Sequence, residues 1–190
     1  MHIRIFLATV AVTLMSVGSL AQLRGPEDFT AFAVPASNVA SDHGTVMVSL
    51  DRWSTVAEHS MLTRTLRENG PATVLDALRS LRPVGTIRTP DSPGYDLRYA
   101  HQTLTDNGGR RIILASDKPT EFWKACQRPQ AANSPFTVIQ MHIDADGRGT
   151  GTLSITTKIR AYDDRIALED LASCRVALTD ILAVPDDERE

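Results

Sequence analysis

Tyr99 and His101 stand two positions apart, a spacing that puts both side chains on one face of a strand, where a phenol beside an imidazole can accept, donate or relay a proton. Arg88 could reach the same place from a neighbouring segment, and a guanidinium fork matches the paired oxygens of a carboxylate or phosphate. Arg88, Tyr99 and His101 are therefore the candidate ligand or anion contacts. In a catalytic version of this site His101 acts as base, with Arg88 or Arg98 holding an anionic group. Arg98 lies three residues before His101, so strand alternation turns the two apart. The same alternation groups Tyr99 with both Leu97 and His101. No catalytic residue is singled out beyond that.

Other chemistries fail on spacing. Asp144, Asp146 and Gly147 look like half of a calcium loop begun at His142, but its twelfth position, which needs a bidentate Glu, is Leu153. A hairpin turn is expected there. His43, His59, His101 and His142 are scattered without a metal-binding interval, so neither a metal nor another cofactor is expected. No Gly-x-Ser-x-Gly pentapeptide occurs. Gly147, Gly149 and Gly151 alternate between two strands instead of opening a helix, which leaves no phosphate loop. The acid pairs Asp163–Asp164 and Glu169–Asp170 read as solvated turn or strand residues, and Trp53 and Trp123 as packing residues.

Charge is unevenly spread. Residues 64–111 hold eight arginines against five acids, while residues 142–190 hold six basic residues against eleven acids. Pairing between the two regions is the expected use of that imbalance.

The first residues give the address. Arg4 precedes an apolar run from Ile5 to Met15, after which Ser16 to Gln22 turn small and polar. This is the pattern of a cleavable export signal, with Ser19 and Ala21 placed for cleavage between Ala21 and Gln22. An apolar run of eleven residues is short of the ~20 that a spanning helix needs. No stable membrane span is expected once the signal is removed. Residues 1–21 are thus a signal, 22–184 a single domain and 185–190 an acidic tail, in a periplasmic or secreted protein. Removal of Arg4 leaves 19 basic and 23 acidic side chains, a balance that argues against nucleic-acid binding. Cys126 and Cys174 form an even count that an oxidising compartment can join; the alternative is that Cys126 is a small buried hydrophobe sharing a helix face with Phe122.

The chain must supply elements to position these groups. Residues 29–34 and 44–50 alternate as strands do. Thr55 and Glu58 have capping-box spacing, opening a helix that stops at Gly70; Pro71 starts a second, with Val74, Leu75, Leu78 and Leu81 along one face. Asp117 and Pro119 announce a third, carrying Phe122, Trp123 and Cys126. Asn107–Gly108 is a tight hairpin turn, and residues 136–182 read as further hairpins. Short turns require antiparallel neighbours. The expected fold class is α+β: a curved, mainly antiparallel sheet with three helices on one face or end.

Several stretches together resemble a group of uncharacterised exported bacterial proteins: Asp51–Arg52–Trp53, Gly85 with Ile87–Pro90, Asp96, Leu97, Tyr99 and Ala100, Arg110–Ile112, Phe122–Trp123, Arg128–Pro129 and Pro135–Thr137. The resemblance spans residues 29–157 and implies export and one domain. With the address, it frames three expectations. The first is a non-catalytic module binding a small molecule or an envelope partner. The second is an envelope hydrolase or lyase built on His101. The third is a structural subunit of an envelope complex, marked by a large exposed apolar patch.

Overall fold

A computed structural model describes residues 25–35, 43–120, 136–156, 159–162, 165–168 and 174–184. The expected signal and its Ala21–Gln22 cut, the third helix with Phe122, Trp123 and Cys126, both acid pairs and the acidic tail lie outside these residues. For Cys174 only the backbone is described, so its pairing with Cys126 stays an expectation.

Local signals set the first elements. Strands β1 (Glu27–Pro35) and β2 (Gly44–Leu50) pair antiparallel, then helices α1 (Val56–Asn69) and α2 (Pro71–Ser80) follow in succession. Thr55 caps α1 through both halves of a capping box with Glu58, satisfying amides that the first turn cannot use internally. Gly70 separates the helices at φ 77°, a conformation that favours glycine, and Pro71 opens α2.

The remaining strands are β3 (Gly85–Arg88), β4 (Tyr95–Leu97), β5 (Tyr99–Leu104), β6 (Arg110–Ser116), β7 (Phe136–Ile143), β8 (Arg148–Thr156), β9 (Ile159–Tyr162), β10 (Arg165–Leu168) and β11 (Cys174–Val184). Strands β9 and β10 form a separate hairpin, and β9 lies beside α1. The others make one nine-stranded antiparallel sheet in the order β4-β3-β2-β1-β11-β8-β7-β6-β5. Its first and last strands are consecutive in sequence, joined at Arg98. On one side Val84 N–H donates to Leu97 O at 2.7 Å; on the other Arg98 N–H donates to Ala115 O at 2.8 Å. The two edges meet at this corner, so the sheet curls into a nearly closed barrel.

The α+β expectation is therefore overturned. The chain is mostly strand, with two helices among the described residues, because the hairpins do not end in a free edge for helices to cover but wrap until the edges share a strand. Register breaks at Thr30/Phe32 in β1 and Leu178/Ile181 in β11, and Asp180 between the latter adopts φ 50°. Such bulges bend a strand and increase twist, which closure requires. At Gly149 and Gly151 a Cβ would overlap His142 O and Gln140 O across the β7–β8 hairpin, so these two glycines serve close strand approach, while Gly147 turns the hairpin at φ 78°.

The interior is filled. Phe29, Leu50, Ile87, Leu97, Ile112, Leu114, Ile139 and Leu153 are among its buried residues, burying apolar surface that would otherwise face water. Trp53 belongs to the same cluster. This apolar-inside alternation is the reverse of that in membrane-spanning barrels, whose lipid face is the apolar one. No helix among the described residues is long and apolar enough to cross a membrane.

A second cluster lies outside the wall. Leu62, Leu66, Val74, Leu75 and Leu78 of the helices pack on Tyr99, Ala115, Phe136 and Val138 of the barrel. The corner explains a misplaced face. Leu97 and Ala100 both point inward, whereas Tyr99 points out to the helices. The kink at Arg98 breaks the alternation that would have grouped Leu97 with Tyr99.

Arg52 forks onto Glu58, donating at 2.9 Å to each carboxylate oxygen. This, more than the Thr55 backbone and hydroxyl bonds, lowers the Glu58 pKa from 4.5 to about 2. The depressed folded value means that the pair's stabilisation is present above the unfolded pKa and is lost as pH falls through the folded one. Glu58→Gln retains a capping box without the charge. Its unfolding free energy at pH 7 should lie about 0.5–1 kcal/mol below wild type, and denaturant curves should converge as pH drops from 4.5 towards 2. A pH-independent gap would remove the ion pair as its cause.

Candidate functional site

On β5 and β6 the outward residues are fixed by register: Tyr99 faces Ala115, His101 faces Ile113 and Thr103 faces Arg111. Along this row the wall changes from apolar, beneath the helices, to polar beyond them. Helix α1 reaches the boundary with His59, which precedes buried Leu62 and Leu66 by three and seven positions and so shares their face.

His59 and His101 stack with ring centroids 4.0 Å apart and planes 9° from parallel. His59 Nδ1 lies 2.6 Å from the Tyr99 hydroxyl. Tyr99 is 2% exposed, and this burial pushes its phenol further above the ordinary value of 10. The phenol therefore keeps its proton at neutral pH and is hydrogen-bonded to the His59 ring.

A groove of about 870 Å³ opens along this wall, bordered by His59, His101, Gln102, Thr103, Asp106 and Arg111. A second lobe of about 530 Å³ continues over the start of α1, past Trp53, Thr55, Val56 and Leu104. His59, His101, Gln102 and Leu104 border both, so the stacked imidazoles stand where the lobes join. Between the helices and the wall only about 20 Å³ remains, too little for a ligand. The groove runs along the edge strand β5 and takes lining residues from both of its faces.

Arg111 is half-buried on the groove wall. Its Nη2 donates to Gln140 Oε1 at 3.2 Å, while its Nε is buried without a partner. The Trp53 indole N–H is also buried and unpartnered.

Of the three sequence candidates, Tyr99 and His101 meet at the groove, Tyr99 as a buried support. Arg88 does not: it ends β3, exposed, opposite Met47. Other arginines are committed to structure. Arg98 pairs with Asp117 and Asp96, and Arg110 binds Glu27 and Gln102 over the Phe29 ring. Among the described residues the ion pairs join neighbouring segments or Glu27, not the two regions of opposite charge excess.

Sequence reasoning missed His59 and Arg111. A signal existed for each: His59 shares a helix stripe with Leu62 and Leu66, and Arg111 shares strand parity with Ile113 and Ala115. No cluster of three metal-ligating side chains occurs among the described residues. Comparisons with family models, with curated proteins and with solved structures return no match to this chain.

Proposed function

We propose that this protein is an exported, non-catalytic binding module that holds a small molecule in the groove between α1 and the β5–β6 wall. One observation carries the reading. The barrel interior is filled with side chains, whereas an open groove along the β5 edge gathers two imidazoles, Arg52, Arg111, Asp106 and neutral polar groups beside apolar surface. Such mixed concave surfaces are where small ligands bind. The expected leader would place this activity in the periplasm or outside the cell.

The hydrolase or lyase reading has less support. The face of His101 is covered by His59, the Tyr99 phenol is buried and keeps its proton, and Arg88 lies away from the groove. A partner-binding reading draws on Phe32, Val34 and Leu182, which are exposed on the β1–β11 surface.

Native mass spectrometry of the protein taken from the periplasm of an expressing host tests the proposal. A small added mass, lost on denaturation and absent from a groove-filling Thr103→Trp variant, is the expected result. A bare chain that turns over an envelope substrate, and stops doing so in His101→Ala, would overturn it.

A further inference from the structure

Resting on the groove reading above, we infer that the ligand is a monoanion: a single carboxylate held by Arg111, with an apolar body lying over Leu104 and Val56.

The charge argument runs by elimination along the groove. In the second lobe the positive groups are Arg52 and the first turn of α1, and the Glu58 carboxylate already answers both, accepting from Arg52 and from Thr55 N–H. In the first lobe Arg111 donates only to a neutral amide, Gln140, and forms no ion pair with the described residues. Its Nε is buried with no acceptor. A guanidinium on a groove wall with only a neutral amide as partner is answered most strongly by an oxyanion, through charge-assisted bonds.

The magnitude of the ligand's charge follows from the same inventory. Arg111 is the one arginine of this lobe, and the Asp106 carboxylate borders it as well. A dianion such as a phosphate monoester would keep a charge without a counterpart and would face Asp106. One negative charge fits.

The apolar body follows from exposure. Val56 is 70% and Leu104 51% exposed, and both line the lobe next to Arg111's. Large aliphatic side chains left open to water beside a concave surface gain from being covered, at about 25 cal/mol per Å². A carboxylate on Arg111 places whatever is attached to it towards Leu104, which borders both lobes.

Calorimetric titration of the full soluble protein at pH 8 tests this with four probes sharing one tail: octanoate, octanol, octylamine and octyl phosphate. Octanoate should bind at least about tenfold more tightly than the alcohol, the amine should not bind, and the phosphate should be weaker than the carboxylate. Arg111→Gln should reduce octanoate affinity about tenfold without moving octanol, and Arg111→Lys should restore part of the loss. The wild-type probe series is itself decisive should a variant fold poorly. Equal binding of octanol and octanoate, or octanoate binding unchanged in Arg111→Gln, overturns the carboxylate inference while leaving the groove reading intact. Tighter binding of octyl phosphate overturns the monoanion. Failure of every probe, or binding unaffected by Thr103→Trp, overturns both readings.

Discussion

Arg98→Ala is expected to lower the unfolding free energy by about 3 kcal/mol, at the lower end of what removing one partner of a buried ion pair costs. Arg98 occupies the corner where the barrel closes. Its Nε lies 3.3 Å from Asp117 Oδ1, its Nη2 3.3 Å from Asp96 Oδ2, and its Nη1 donates at 3.2 Å to Leu81 O, just past α2. One side chain thus ties the closing strand to the end of β6 and to the helix layer. The Asp117 side chain is 9% exposed, so alanine at position 98 strands a nearly buried carboxylate without its cation. The arginine itself is 20% exposed, which keeps the loss from being larger. Asp117→Asn introduced into Arg98→Ala should recover part of the loss by neutralising the stranded charge. Urea unfolding of both single variants and the double variant measures the coupling. A single-variant loss below about 1 kcal/mol would show that the corner is held by its backbone bonds instead.

Phe136→Ala should cost about 3–5 kcal/mol. Phe136 is 2% exposed, within the cluster where Leu62, Leu66, Val74, Leu75 and Leu78 meet the outer wall. Truncation removes the transfer energy of the ring and leaves a cavity that two helices and a rigid sheet cannot collapse into fully. The loss should be uneven, since the helices depend on this cluster while the interior does not include it. Hydrogen exchange should show protection falling first in α1 and α2, and the chemical shift of His59 should move because the helix that presents it has lost its anchor. A loss under 1 kcal/mol, or uniform loss of protection, would mean that the helices and barrel do not pack as separate layers.

Both predictions concern features that no local stretch reveals. Strand β1 pairs with β11, bringing Thr179 Oγ1 to Phe32 O across 147 residues, and nothing in either segment alone names the other. Taken one by one, the hairpins give a sheet with free edges, and only the pairing of distant strands curls it back on itself. The kink at Arg98 is equally silent. Asp96 to Leu104 alternates acceptably as one strand, and only the demand that it pair with β3 at one end and β6 at the other breaks it in two.

The candidate site divides in the same way. Tyr99 and His101 were legible because strand periodicity places residues two apart on one face, and β5 keeps that period beyond the kink. Arg88 has the charge for an anion contact and could in principle reach from a neighbouring segment, yet β3 points it to the surface. His59 comes from a helix and Arg111 from the next strand, so their convergence depends on how α1 lies on the wall.

What the sequence determined by itself was whatever a few consecutive residues can enforce. The Thr55–Glu58 capping box, the break at Gly70–Pro71 and the turns at Asn107–Gly108 and Asp144–Gly147 all stand as read, because each satisfies its own backbone hydrogen bonds or dihedral preference within a turn. Tertiary structure alone decided closure of the barrel, the outward turn of Tyr99 and the meeting of His59, His101 and Arg111. Those depend on which distant edges pair, a choice made by burial of the whole apolar face at once.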